Sequence, residues 1–153
     1  MHEFAFEVPD KVWSTNQDRN LNPYARAERI LAWKTATQLG WASYCNRRGT
    51  TRKLEPSLVR VSIPFKQRRR RDPHNYCGTV VKAILDGLVL AGAWSDDTPE
   101  YVEHLAPSLP VGGPQFVKIS IWQKGPARFA CQHGSYFGCT VDDSCKGGWE
   151  VSL

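Results

Sequence analysis

Residues 3–8 read EFAFEV, with Phe4, Phe6 and Val8 alternating against glutamates and an alanine. A period of two predicts a half-buried strand. Residues 9–23, PDKVWSTNQDRNLNP, are polar, rich in Asn, Asp and Pro, and without sustained period, which predicts a long loop. Loops of that length in compact domains tend to carry function. Trp13 and Asn16 are therefore candidate substrate contacts, with anchoring to the core as the alternative for Trp13. From about Tyr24, the placing of Ala27, Ile30, Leu31, Lys34 and Gln38 separates an apolar side from a charged one. This predicts an amphipathic helix ending by about Cys45, ahead of a basic turn, NRRGTTRK. The segment SLVRVSIPF sets Val59, Val61, Ile63 and Phe65 against Arg60, Ser62 and Pro64. It predicts a second strand, with Pro64 near its end where a missing donor is tolerated.

Farther along, Val81, Ile84, Leu85 and Leu88 recur at helical spacing and define a second helix. On an ideal helix Asn75, Lys82 and Asp86 fall within about 20° of one line, so polar groups share one stripe. Gly92 supplies a stop, AWSDDTP a turn, YVEHL a short third strand, and QFVKISIW a fourth after PVGGP. The order strand, helix, strand, helix, strand, strand predicts an α+β fold, a small mixed sheet of four strands packed with two main helices. Crossovers favour parallel pairing, and the last two strands are expected to form a hairpin.

Length and composition then bound the organisation. The chain has 153 residues, 41% hydrophobic, enough for one domain with its own core. Residues 1–123 are read as that domain, and residues 124–153 as a Cys/Gly-rich extension holding three of the five cysteines. Cys131, His133, Cys139 and Cys145 are possible zinc ligands, although they lack the paired C-x2-C spacing that brings two ligands onto one turn. No apolar run approaches a membrane span and no basic-then-apolar leader opens the chain, so a cytoplasmic protein with reduced thiols and no membrane partner is expected.

Charge changes the picture most in residues 67–99. The net charge is +5, with basic residues clustered as Arg47, Arg48, Arg52 and Lys53 and again as Lys66, Arg68, Arg69, Arg70 and Arg71. Two such clusters favour a polyanionic partner. The second runs directly into Asp72, and Asp96 and Asp97 return after one helix. Carboxylates repel a phosphate backbone unless a cation stands between them, so metal-dependent phosphodiester chemistry is the working hypothesis. Asp72 before Pro73 also suits an ordinary helix cap, and Asp96 and Asp97 an ordinary acidic turn.

The stretch RRRRDPHN, the helix KAILDGLVLAGAW and the following DD resemble the RusA family of Holliday-junction resolvases. The family pattern is an arginine-rich run into D-x-D-N, then K-A-x-x-D-x-L-x-x-A-G-x-W-x-D-D. The match is continuous over residues 82–97, and weaker resemblance covers residues 3–122. The resemblance implies a homodimeric, Mg²⁺-dependent (or Mn²⁺-dependent) endonuclease that nicks four-way or branched DNA symmetrically. It assigns Asp72, His74, Asp96 and Asp97 to the metal, and Asp72, His74, Lys82 and Asp97 to catalysis. The two basic clusters and Asn75 would contact DNA.

Two departures stand out. His74 occupies the place of the second acid, where imidazole favours manganese over magnesium or serves proton transfer or phosphate contact. The spacing from Asp72 to Lys82 is also longer, the excess falling on Tyr76, Cys77, Gly78 and Thr79. Gly78 and the late onset of the apolar period predict a loop there. Extending the helix instead would move Lys82 by about 6 Å at 1.5 Å per residue. Two other readings remain: a RusA-like protein that binds junctions without cutting them, and a basic zinc-binding adaptor organised by the C-terminal cysteines.

Overall fold

A computed structural model describes residues 1–49 and 53–124. Arg52 and the candidate zinc ligands Cys131, His133, Cys139 and Cys145 lie outside the described residues. Met1–Gln123 forms one compact unit. Its elements are β1 (His2–Glu7), α1 (Thr15–Asp18), α2 (Pro23–Arg48), β2 (Ser57–Ser62), α3 (Lys82–Leu90), β3 (Val102–His104) and β4 (Phe116–Gln123), with a 3₁₀ turn at Pro73–Tyr76 and a π turn at Cys77–Val81 before α3.

The fold is α+β, a mixed four-stranded sheet packed with two main helices. The strand order is β1-β4-β2-β3. β4 runs antiparallel to both β1 and β2, Phe4 facing Ile119 and Val61 facing Ile119 from the other side. β3 pairs parallel to β2, Ser57 opposite Val102. The hairpin expected between the last two strands does not form. An eight-residue β4 with Val117, Ile119 and Ile121 fully buried gains a ladder on both sides from the centre of the sheet. A three-residue β3 cannot supply one.

Alternation decides the two sheet faces, as period-two patterning requires. Phe4, Phe6, Val59, Val61, Val117, Ile119 and Ile121 point into the core, while Glu3, Glu7, Arg60 and Lys118 are exposed. Helix α2 covers the inner face with aromatic residues. Trp41 packs edge-on against Phe4 at 5.7 Å and Trp33 against Phe6 at 6.5 Å between ring centroids. Its buried face comprises Trp33, Thr37, Trp41, Tyr44 and Cys45, so Leu31 of the expected apolar side stays exposed. Bulky aromatics along one face bury more area than the aliphatic side and win the inward position. Asn22 caps α2 by accepting from Ala25 N–H at 2.8 Å, Pro23 stands at the first turn, and Gly49, at φ 63°, closes the other end. The helix thus runs through Arg47 and Arg48 instead of stopping near Cys45, and its last turn gains cations that complement the exposed carbonyls.

Helix α3 buries Ala83, Ile84, Leu85, Gly87 and Leu88 and meets α2 closely at Gly87. A Cβ there would stand 2.9 Å from the Lys34 carbonyl oxygen and 3.0 Å from Thr37 Cβ. Gly87→Val is therefore expected to push the helices apart and cost about 1–3 kcal/mol, read as a lower urea midpoint. Its absence of a side chain is what brings Lys34 within reach of α3.

Candidate active site

The segment before α3 is helical throughout, not the loop that Gly78 suggested. Asp72 caps the 3₁₀ turn, its Oδ1 accepting from His74 N–H at 3.0 Å. The path then widens through the π turn, where Thr79, Val80 and Val81 are buried. Burial of these residues offsets the cost of Gly78 in a helical conformation. The extra residues are thus absorbed as coiled chain, and an inserted wide turn of this kind re-aims the side chains that follow it. Lys82 opens α3 at that point.

The polar loop before α2 is sewn to this segment and contains a short helix that the absence of periodicity did not predict. Ser14 and Gln17 form a capping box around α1. Thr15 Oγ1 donates to the Asn75 carbonyl at 3.0 Å, and Thr79 Oγ1 to the Trp13 carbonyl at 2.8 Å. Trp13 is 1% exposed and donates from its indole to Asp18 at 2.9 Å. It anchors the loop, while Asn16 is exposed. A cleft of about 130 Å³ opens beside these contacts, lined in part by Trp13, Arg26, Thr79, Lys82 and Asp86.

The charged centre is a line of alternating signs. Lys34 of α2 contacts Asp86 Oδ2 at 2.8 Å, and Lys82 contacts Asp86 Oδ1 at 2.8 Å across one helical turn. The Lys82 ammonium also contacts Asp97 Oδ2. Of the polar stripe read for Asn75, Lys82 and Asp86, the last two meet as this pair, whereas Asn75 lies in the 3₁₀ turn, set off from α3 by the π turn. Hydrogen bonds from Lys82 to Asp86 and Asp97 raise its pKa above the ordinary value. It is therefore an ammonium at neutral pH, suited to offset negative charge and unsuited to act as a base. Burial pushes the Asp86 carboxyl upward, but hydrogen bonds from Lys34 and Lys82 outweigh it and leave the pKa lowered.

The turn that presents Asp96 and Asp97 is clamped from the strand side by residues without a motif. Glu55 accepts from Ser95 N–H at 2.7 Å and from the Ser95 hydroxyl at 3.0 Å. Lys53 donates to Ser95 Oγ at 2.6 Å, and buried Trp94 donates to Ser57 Oγ at 2.8 Å. Asp96 Oδ1 accepts from Asp97 N–H at 2.7 Å, tightening the turn further. The Ser95 N–H, aided by its hydroxyl and Lys53 and opposed by desolvation, holds the Glu55 pKa below its usual 4.5. A depressed carboxylate stabilises the fold above its unfolded pKa and ceases to do so as pH falls through the folded one. The stability difference between the wild type and Glu55→Gln is therefore expected to be constant near neutrality and to close on acidification below 4.5, measured by urea denaturation from pH 7 downward.

The basic residues divide into engaged and free. Arg71 stacks over Phe65 at 3.9 Å and donates to the Gln67 carbonyl at 2.9 Å and the Arg69 carbonyl at 3.3 Å. Arg48 lies over the Tyr44 ring at 6.0 Å. The side chains of Arg47, Lys66, Arg68, Arg69 and Arg70 are exposed and make no hydrogen bond or ion pair among the described residues. Those are the groups open to a phosphate backbone.

Among the described residues, no three His, Cys, Asp or Glu side chains gather closely enough to hold a metal ion, so Asp72, His74, Asp96 and Asp97 are not assembled as one set. Asp72 and His74 are exposed, and Asp97 is half-buried against Lys82. By chemistry alone, exposed or half-buried carboxylates such as Asp72, Asp96 and Asp97 are the donor type a magnesium-type ion takes, one or two at a time, with water and substrate phosphate completing its shell. Asp97 already receives a cation, the ammonium of Lys82. The sequence motif pointed to Asp97 and Lys82 and to the polar stripe of Asp86. It gave no sign of Lys34 or Glu55, whose partners are remote in the chain. No protein-family model matches the chain, and no curated protein matches it either.

Proposed function

We propose that the protein is a metal-dependent endonuclease that nicks four-way (Holliday) or related branched DNA by symmetric phosphodiester hydrolysis. The observation that carries this reading is the meeting of Lys82 and Asp97, at the two ends of α3 and both required by the RusA-like pattern, in a chain whose arginine run is exposed. Asp97 and Asp72 would hold Mg²⁺ or Mn²⁺, with Asp96 and His74 as further donors. A divalent ion held there supplies activation of water and stabilisation of the leaving 3′ oxygen. Lys82, kept cationic by its two carboxylates, would offset charge building on the phosphorane. Arg68, Arg69, Arg70 and Lys66, with Arg47, Arg48 and Arg52, would grip backbone phosphates and fix the register without reading bases. Lys53, Arg71 and Asn75 would share that work, Lys53 and Arg71 while also making the structural contacts described above.

A two-fold homodimer would match the pseudo-two-fold junction and set one site on each of two opposed strands. Exposed Leu31 and Leu39 of α2 offer apolar surface for such pairing, and a monomeric mass by light scattering would contradict it. Among the described residues no helix is long and apolar enough to cross a membrane. The test is incubation of the purified protein with a labelled four-way junction and either Mg²⁺ or Mn²⁺. Nicking is expected. Junction binding without nicking in either cation would replace this reading with that of a structure-selective DNA-binding protein.

A further inference from the structure

We propose that Asp86 is a positioning residue that anchors Lys82 beside Asp97 and shares its ammonium with that carboxylate, so that Lys82 and an incoming divalent ion compete for Asp97 and Asp86 eases the exchange by drawing Lys82 away. The inference rests on the nuclease reading and assigns roles to two residues, Asp86 and Lys34, that this reading leaves without one. Its basis is the branching of the charged line. Asp86 spends one oxygen on Lys34 at 2.8 Å and the other on Lys82 at 2.8 Å, and the same Lys82 ammonium reaches Asp97. Lys82 is tethered on one side by its own helix turn. When a divalent ion takes Asp97, like charge drives the ammonium off that carboxylate, and Asp86 retains it nearby.

The division of labour follows from what each partner can exchange. Asp97 sits on a turn, half-buried and open to solvent, where an ion can be gained or lost. Asp86 lies on α3 against α2, at the close approach that Gly87 permits. Lys34 adds a second positive charge to Asp86, which lessens its pull on a divalent ion and keeps it an anchor. Lys82 can thus stand in for the metal before it arrives and remain within reach of the phosphate afterwards.

Mn²⁺ binding to the protein alone, followed by the loss of the free-ion electron paramagnetic resonance signal, separates the possibilities. Lys82→Ala removes the competitor and is expected to tighten Mn²⁺ binding about tenfold, although it removes a group the reaction needs. Asp86→Asn leaves Lys82 to lean wholly on Asp97 and is expected to weaken Mn²⁺ binding by a factor of about three or more. In the Lys82→Ala background the Asp86→Asn effect is expected to vanish, because it acts through Lys82. If Asp86→Asn does not fold, Lys34→Gln serves instead. It is expected to draw Lys82 toward Asp86 and tighten Mn²⁺ binding, with a smaller effect in the Lys82→Ala background. Mn²⁺ binding that depends on Asp97 but is unmoved by Lys82→Ala would overturn the competition alone. An Asp86→Asn effect that persists undiminished in the Lys82→Ala background would overturn the positioning role. Mn²⁺ binding indifferent to Asp97→Asn would overturn the metal assignment and this inference with it.

Discussion

Asp97→Asn is expected to lower metal-dependent nicking of a four-way junction by about 10²- to 10³-fold, the scale for removing one group that stabilises transition-state charge. The amide keeps the size of the side chain and its place on a turn that Glu55, Lys53 and Trp94 hold from elsewhere. Folding stability should therefore change little, since Lys82 retains Asp86 as a partner. Junction binding without metal should hold or rise, because the change removes a negative charge facing a phosphate backbone. Loss of nicking with binding retained would locate the defect in chemistry. A parallel loss of both would instead locate it in the fold. Gel retardation and single-turnover nicking on the same preparation measure the two quantities.

The second large effect is expected from Arg68→Gln, Arg69→Gln and Arg70→Gln combined. If each of these arginines neutralises one phosphate, the slope of log affinity against log salt should fall by about 0.9 per contact, near 2.7 in all. Affinity at moderate salt should drop at least about tenfold, uniformly across junction sequences, as expected of contacts that position without specifying. Arg71→Gln makes a useful contrast. Its guanidinium covers Phe65 and bonds the Gln67 carbonyl, so its loss should lower stability as well as affinity. A salt slope unchanged by the triple substitution would remove the arginine run from the interface.

How much of this was legible in the sequence depends on the range of the force involved. Period-two and helical alternation gave the sheet strands and the buried face of α3, because those patterns record which side of one element meets the core. They could not order the strands. β4 enters between β1 and β2 for reasons of ladder length and burial that only the assembled sheet expresses. The inward face of α2 was placed on the Leu31 side because Leu31 looks as apolar as Trp33 until both compete for the same sheet. Gly78 looked like a break, yet three buried neighbours carry the chain through it in a wider coil.

For the site, the motif named the acids, the lysine and the arginines, but it did not say which of them meet. Lys82 and Asp97 do so across the length of α3, and Asp86 joins them through a helix turn that the polar stripe anticipated. Lys34 and Glu55 act from α2 and from the strand side, through partners far away in the chain. Their identity as ordinary charged residues carries no signal at the level of one sequence. The four arginines also look alike in the chain, and its place over Phe65 with its bonds to the Gln67 and Arg69 carbonyls sets Arg71 apart from its neighbours.

The most direct measurement is strand-resolved nicking of a four-way junction, each strand labelled in turn at its 5′ end, in Mg²⁺ and in Mn²⁺, with Asp97→Asn alongside. Paired nicks are expected at symmetric positions in two opposed strands, dependent on the cation and lost in Asp97→Asn. Absence of nicking in both cations, or equal nicking by the wild type and Asp97→Asn, would contradict the nuclease reading.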